Sequence, residues 1–411
     1  MRTITAILLA LSLILVYGCG VKTPEGDERA DGNEPGEYAE VPAAYRDTYI
    51  ELEAKLEELG AYLDDNSGGA TSDTVFSVEL VGANSNRGEA LLEPYNFLAC
   101  QRTLEALKDL GVTGITLSVQ YPVLNPDFPR SSDYLMFYRW LALETRSLGL
   151  TLVIETTTVF PDPEISPLGV DYTGLTLDEY MREKRAMIEI VLTDIAPDYL
   201  TVENEPGTQR SNTGLDFTVA DQTAIVNHIL SGLERGDTKI GAGAGSWDDP
   251  AYFESLAANT DLDYLDMHLY PIQGDLVIDR AERISEMARS HGKGLAVSEA
   301  WLYKASASEF SSGQDIAMAA DTFARDAFDF WTTLDQAFLE VLVKLSHFLD
   351  LEFISPFWMQ YLFAYLPYSS TTEARGYAWV LELVNSQTWV NIQAGNLTPT
   401  GETYRELILG Q

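Results

Sequence analysis

Basic residues are scarce in this chain. Twenty-six lysines and arginines stand against 63 aspartates and glutamates, a formal charge of −37. A surface so acidic repels nucleic-acid phosphates and anionic lipid head groups, so polyanionic partners are excluded, whereas a neutral substrate is indifferent to the field. Only four histidines occur, His228, His268, His291 and His347, with no His-Glu-x-x-His, no paired cysteines and no EF-hand loop, so no catalytic metal is expected. Neither a phosphate-binding loop nor a nucleophile elbow is present, and no cofactor is expected. No segment points to a protein partner. The two cysteines, Cys19 and Cys100, leave little room for a disulfide framework.

Arg2 precedes an apolar run at positions 4–16, too short for a comfortable membrane span and suited to the core of a signal peptide. The run ends in Leu15-Val16-Tyr17-Gly18-Cys19, which resembles the lipobox of prokaryotic lipoproteins, with Tyr17 in place of the usual small residue. The resemblance implies removal of residues 1–18, lipidation of Cys19, and an extracytoplasmic protein held to the membrane by that lipid alone. Ordinary secretion with Cys19 as a bystander is the alternative. With Cys19 acylated, Cys100 is the only remaining thiol, and its place among Phe97, Leu104 and Leu107 reads as a buried structural cysteine. Residues 19–42 are rich in Gly, Pro, Glu and Asp and nearly free of large apolar side chains, so they read as a disordered tether.

Positions 43–72 carry Tyr45, Tyr49, Leu52, Leu56, Leu59 and Leu63 at spacings of three and four, an amphipathic helix packing on the bottom or flank of the larger domain. From residue 73 to 411, apolar runs alternate with helical patterns. Candidate strands lie at 74–81, 114–119, 150–156, 199–204, 239–243, 264–268, 294–299 and 354–360; candidate helices lie at 95–110, 132–148, 177–195, 218–234 and 278–291. Unbroken apolar strands separated by helices indicate a parallel sheet covered on its outside, and eight such units favour a closed (β/α)8 TIM barrel, one α/β domain. A doubly wound open sheet is the rival, through Gly241-Ala242-Gly243-Ala244-Gly245. Ser246 occupies the place of the third glycine of a dinucleotide fingerprint, and the run falls on the fifth strand instead of the first. Small residues permitting close approach of chain or ligand explain it better. About fifty residues separate the seventh and eighth strands, far beyond a usual connection. This long insertion is mostly helical over 315–349 and forms either a lid over the mouth or a pair of helices on the flank.

Side chains at the C-terminal ends of barrel strands converge on one mouth. The fourth strand ends in Glu203-Asn204-Glu205-Pro206 and the seventh in Ser298-Glu299-Ala300-Trp301. Ionised carboxylates atop a packed barrel are costly without donors or partners, and two that face each other drive their pKa values apart, one staying protonated as an acid and the other ionised as a nucleophile. Such a pair is what glycosidic cleavage needs. Glu203 competes with Glu205, because alternate residues of an ideal strand share a side.

Asn204-Glu205-Pro206 at strand four with Glu299 at strand seven resembles the clan A retaining glycoside hydrolases, which include cellulases, mannanases and endo-galactanases. The resemblance implies Glu205 as acid/base, in preference to Glu203, Asn204 as a sugar-hydroxyl ligand and Glu299 as nucleophile. It extends to strand six, where Asp266-Met267-His268-Leu269-Tyr270-Pro271 is like the clan's histidine- and aromatic-bearing strand, whose tyrosine often bonds the nucleophile. It extends also to strand eight, where Trp358 is similar to the clan's sugar-binding tryptophan. A satisfied core histidine is the bland reading of His268. Trp301 and Trp247 are further stacking candidates, since an aromatic face covers the apolar face of a sugar. Glu155, ending strand three, either binds substrate at the same mouth or pairs with a cation.

Two features depart from the clan. The arginine ending strand two and the histidine after strand three are missing from Ser118-Val119-Gln120-Tyr121 and Ile154-Glu155-Thr156-Thr157. Hydrolysis of an extracellular β-linked polysaccharide or oligosaccharide by double displacement is therefore the leading expectation. A surface glycan-binding lipoprotein with little or no turnover, and a transglycosylase acting on the cell's own envelope polymer, are the alternatives.

Overall fold

The computed structural model describes residues 38–410 except 70, 164, 271, 273–275 and 312–319. The expected signal peptide, Cys19 and most of the tether lie outside the described residues. Among the described residues no helix is long and apolar enough to cross a membrane.

Eight short strands, β1 (Val75–Phe76), β2 (Gly114–Ser118), β3 (Thr151–Glu155), β4 (Tyr199–Thr201), β5 (Lys239–Gly245), β6 (Tyr264–Leu269), β7 (Gly294–Ala300) and β8 (Phe353–Pro356), pair in parallel in the order β1-β8-β7-β6-β5-β4-β3-β2. A parallel bridge between Glu79 and Thr116 joins the two outer strands and closes the ring. The architecture is the expected (β/α)8 barrel. Before it stands α1 (Arg46–Asn66), and around it in chain order run α2 (Pro94–Leu110), α3 (Ser131–Ser147), α4 (Leu177–Ile190), α5 (Pro206–Thr213), α6 (Val219–Leu230), α7 (Ala251–Asn259) and α8 (Ala281–Ser290). After β7 come α9 (Ala307–Ser311), α10 (Ala320–Arg325) and α11 (Thr332–Leu349), and after β8 come α12 (Ser370–Glu373), α13 (Tyr377–Ala394) and α14 (Pro399–Leu409). Local chemistry sets several starts: Thr176 with Glu179, and Thr218 with Asp221, close capping boxes on α4 and α6, while Pro94 and Pro399 open α2 and α14.

The ring interior changes character from bottom to top. Its lowest layer is apolar, with Val153, Tyr264, Ala296 and Phe353 packed together beside Val75 and Tyr199. One step up, hydroxyls replace methyls: Ser77 meets Thr116 at 2.9 Å, and the Thr201 hydroxyl donates to Asp266 at 2.5 Å. Above these sit Glu79, Ser118, Glu155 and His268, all buried. β5 makes room for this filling with glycine. A Cβ on Gly241 would stand 2.1 Å from the Tyr264 ring, and one on Gly245 would stand 2.2 Å from Trp247, so the glycine run serves close side-chain approach.

The insertion after β7 divides the two expectations for it between its halves. α11 packs on α1 and α14 on the flank, where α1 buries Leu52, Leu56, Leu59 and Leu63. Described residues of the segment before α11 lie at the mouth instead: Tyr303 stacks on Tyr270 with centroids 4.9 Å apart, and Phe323 lies 5.7 Å from Trp358.

Behind that segment Lys304 is buried with two aspartates, Asp335 in short contact and Asp326 at 3.4 Å. One cation for two anions leaves surplus negative charge, and burial pushes the Asp326 carboxyl up to about 7 despite Lys304. In the unfolded chain the group titrates near 3.9, so its contribution to stability is complete below about pH 4 and is lost as pH rises through 7, roughly 4 kcal/mol in all. Asp326→Asn removes that loss. Thermal unfolding from pH 5 to pH 8 should lower the melting temperature of the wild type more steeply than that of the variant; equal slopes would show that Asp326 does not titrate in this range.

Candidate active site

β4 ends at Thr201, and the strand alternation ends with it. Glu203 turns out into the helix layer, where its carboxylate meets Lys184 at 3.3 Å, accepts from the Tyr180 hydroxyl at 2.8 Å and accepts from the Gln209 amide at 2.5 Å. The expectation that Glu203 and Glu205 share a side therefore fails, because the chain between them is no longer a strand. Glu203 neutralises a buried lysine, while Asn204 and Glu205 turn toward the mouth. The Asn204 side-chain amide donates to Asp266 at 3.4 Å, and its carbonyl oxygen accepts from the Glu205 backbone N–H at 2.9 Å. Glu205 itself adopts φ 49° and ψ 66°, a left-handed conformation costly for a residue with a Cβ. That kink swings the backbone into Pro206, the first residue of α5.

A second irregularity aims the opposite carboxylate. Asp266 of β6 pairs with Ala296 of β7, yet His268 pairs with Glu299, so β7 holds one extra residue across that step. Such a bulge re-aims side chains, and here it lets two consecutive residues serve the interior. Ser298 donates to Asp266 at 2.6 Å, and Glu299 accepts from the Tyr270 hydroxyl at 2.7 Å.

His268 is the hub of the mouth. Its Nδ1 lies 2.7 Å from Glu205 Oε1 and 3.4 Å from Glu299 Oε2; its Nε2 lies 3.2 Å from Glu155 Oε2 and 2.9 Å from Ser298 Oγ. Ser298 spends its own proton on Asp266, so the Nε2 side must donate, and Nδ1 faces carboxyl oxygens of Glu205 and Glu299 that accept from it. Both nitrogens carry protons, and the ring is an imidazolium. Burial opposes that charge, but Glu299, Glu205 and Glu155 together hold the His268 pKa well above the ordinary histidine range. Glu155, His268 and Glu299 present ligand atoms within 4.8 Å of one another, a spacing a metal ion can use. With both ring nitrogens committed to proton donation, His268 supplies the positive charge itself.

Burial pushes the Glu299 carboxyl well above the usual carboxylate range, and the charge of Glu155 adds to the effect. Glu155 is driven the other way: its hydrogen bond and attraction to His268 outweigh burial and lower its pKa. The two carboxyls whose proton affinities are driven apart are thus Glu155 and Glu299. This differs from the simple expectation that Glu299 rests ionised.

The expected aromatic residues part company. Trp247 is 37% exposed and edges Tyr270 at 6.0 Å, on the open rim. Trp358 follows β8, packed on Phe357 at 4.7 Å and mostly covered. Trp301 is enclosed between Phe338 and Tyr361 with no exposed surface, so it belongs to the core behind the mouth and has no face free for a sugar. The expected mouth residues Asn204, Glu205, His268, Tyr270, Glu299 and Glu155 come together.

Sequence reading missed Asp266, Ser298, Ser118, Glu79 and Asp248. The first four alternate inward on strands it had located, so polar residues within apolar runs were the available signal. Asp248, raised to about 6 chiefly by burial, is held by the Gly245 N–H at 2.9 Å on the loop after β5 and had no such signal. At the opposite end of the ring, a depression of about 370 Å³ lies among the loops entering β4 and β5, between Leu192, Pro197 and Arg235. It is remote from the carboxylates.

No protein-family model and no curated protein matches the sequence. Solved structures do resemble the fold. GH5_18 from Bifidobacterium longum subsp. longum is 12% identical, with 82% of this chain and 79% of that one covered and a TM-score of 0.52. A variant of that protein in complex with Manβ1-4GlcNAc is likewise 12% identical, covering 82% and 78% at a TM-score of 0.50. The family 1 β-glucosidase from Thermotoga maritima aligns over 71% of this chain and 89% of its own at 10% identity and a TM-score of 0.44. The chain shares the (β/α)8 fold of the two GH5_18 structures.

Proposed function

We propose that the protein is a retaining glycoside hydrolase acting on a β-linked oligosaccharide or polysaccharide outside the cytoplasm, with Glu205 as acid/base and Glu299 as nucleophile. One observation carries the mechanism. Both carboxylates reach the same ring nitrogen, at 2.7 and 3.4 Å, so their oxygens stand no farther apart than those two legs together. That ceiling on the nearest oxygens accommodates the roughly 5 Å between carboxyl groups of double displacement. Asn204, held by its bonds to Asp266 and the Glu205 N–H, would bind the hydroxyl beside the anomeric carbon. Trp247, Tyr270 and Trp358 supply aromatic surface. The Manβ1-4GlcNAc in the GH5_18 complex is a ligand of the β-linked class proposed here. Lipidation at Cys19 would hold the enzyme at the membrane surface.

In the first half-reaction Glu205 gives its proton to the leaving oxygen while Glu299 attacks the anomeric carbon. In the second, Glu205 takes a proton from water, which releases the sugar. Glu205→Gln should slow cleavage of natural β-glucan, mannan or galactan by about 10²–10⁴-fold. Aryl glycosides with acidic phenol leaving groups need little protonation, so their first step should suffer far less. Equal losses on both substrate types would remove Glu205 from the acid role. Tight glycan binding with no turnover by the wild type would leave the glycan-capture reading in place of hydrolysis.

A further inference from the structure

The wall behind the nucleophile is acidic. Glu79, following β1, Ser118 of β2 and Glu155 of β3 stand side by side, all with no more than 1% exposure. The Ser118 hydroxyl lies 2.8 Å from Glu79 Oε1 and 2.6 Å from Glu155 Oε1. A hydroxyl has one proton to give, so two such contacts to carboxyl oxygens require that one carboxyl donate to it. Burial and the charge of Glu155 push Glu79 well up, whereas Glu155 is held down by His268, so Glu79 is the donor and Glu155 the acceptor. Proton order is thereby set along the row: Glu79 to Ser118, Ser118 to Glu155. The far side of Glu155 faces His268 and Glu299, with ligand atoms within 4.8 Å. Two buried carboxyls this close favour holding one proton between them.

We propose that Glu155 is a positioning residue that unmasks the nucleophile, sharing one proton with Glu299 in the free enzyme and taking it fully as Glu299 attacks the anomeric carbon. This rests on the glycosidase reading of the site. The protons balance. Glu299 loses its proton to Glu155 and forms the ester bond to the sugar. Glu205 loses its proton to the departing oxygen as the glycosidic bond breaks. In the second half Glu205 recovers a proton from the attacking water, the ester bond breaks, and Glu299 regains its own from Glu155. The charged and titratable groups facing Glu155 are Glu79 from the end of β1, Glu205 from the end of β4, Asp266 and His268 from β6, and Glu299 from β7. Lys184 of α4 approaches the turn after β3 by donating to the Thr157 carbonyl at 3.1 Å, and it is committed to Glu203. His268 is thus the one cation that meets Glu155 directly among the described residues, and it keeps Glu155 ionised and ready.

The test has two readouts. In the pH profile of kcat/KM, the acid limb of the wild type reports uptake of a second proton by the Glu155–Glu299 pair, since a protonated Glu155 can no longer accept the proton of Glu299. Glu155→Gln leaves Glu299 no group to take its proton, so activity waits on the ionisation of Glu299 itself and the acid limb should move to higher pH by about one unit or more. Ser118→Ala removes a donor to Glu155, makes Glu155 the stronger base, and should move the limb the same way by less; it keeps the test open if the Gln variant does not fold. A lower rate with an unmoved acid limb in both variants would reduce Glu155 to a structural part and overturn the proposal. The second readout needs no turnover: the infrared difference between wild type and Glu299→Gln at neutral pH, in which Glu79 is common to both proteins, should contain a protonated-carboxyl stretch. Its absence would sink the shared proton even in an active enzyme. Its presence in a protein that cleaves no glycoside would leave the shared proton standing and sink the catalytic reading alone.

Discussion

Glu299→Gln should abolish turnover. Glutamine keeps the shape of the side chain and its contact with Tyr270, but its neutral amide cannot form and release a glycosyl ester. Residual activity at or below about 10⁻⁴ of the wild-type kcat is expected, with substrate affinity largely retained because the aromatic rim and Asn204 remain. A nucleophile is needed whatever the leaving group, so the loss should be as deep for activated aryl glycosides as for natural glycans, unlike the graded loss at Glu205. A folded Glu299→Gln protein with a few per cent of wild-type turnover would remove Glu299 from the nucleophile role.

His268→Ala should damage fold and function together. Three buried or half-buried carboxylates depend on one imidazolium, at 2.7, 3.2 and 3.4 Å. Deleting one side of a buried charge cluster leaves uncompensated charge and typically costs about 3–5 kcal/mol. The pH dependence comes from the raised pKa of His268. In the unfolded chain the ring titrates near 6.5, so its stabilising contribution is complete below that pH and disappears as pH rises through the higher folded-state value. The gap in denaturation midpoint between wild type and His268→Ala should therefore be widest just below about pH 6.5 and close toward alkaline pH. A gap that widens with pH would mean that the folded protein holds His268 neutral. At every pH the variant should also lose most of its turnover, because Glu205 and Glu299 lose the group that orients them both.

The fold was largely legible because the ring is covered on its outside: its strands read as apolar runs, and the strongly periodic helices α2, α3 and α4 fell close to their expected bounds. Among the helices that escaped, two show the physical reasons. α5 begins at the kink of Glu205 and is short and polar, and α13 spreads apolar residues around its circumference, leaving Leu383 and Val390 exposed. In the mouth, the residues that ended strands were found and those that filled the interior were not. Glu79 and Ser118 sit in runs that read as ordinary strand, and only the inward alternation on three adjacent strands brings them to Glu155. Glu203 and Glu205 could not be separated by alternation, because the strand between them stops at Thr201. The bulge in β7, which lets Ser298 and Glu299 both face inward, leaves no mark in the local sequence.

The most direct measurement is the mass of the protein after reaction with a 2-fluoro β-glycoside bearing a good leaving group, matched to whichever sugar it cleaves. A retaining mechanism through Glu299 predicts one fluoroglycosyl unit per chain, carried on the peptide that contains Glu299, and none on Glu299→Gln. Active enzyme that gathers no adduct, or carries it on Glu205 or Glu155, would contradict the assignment of the two carboxylates.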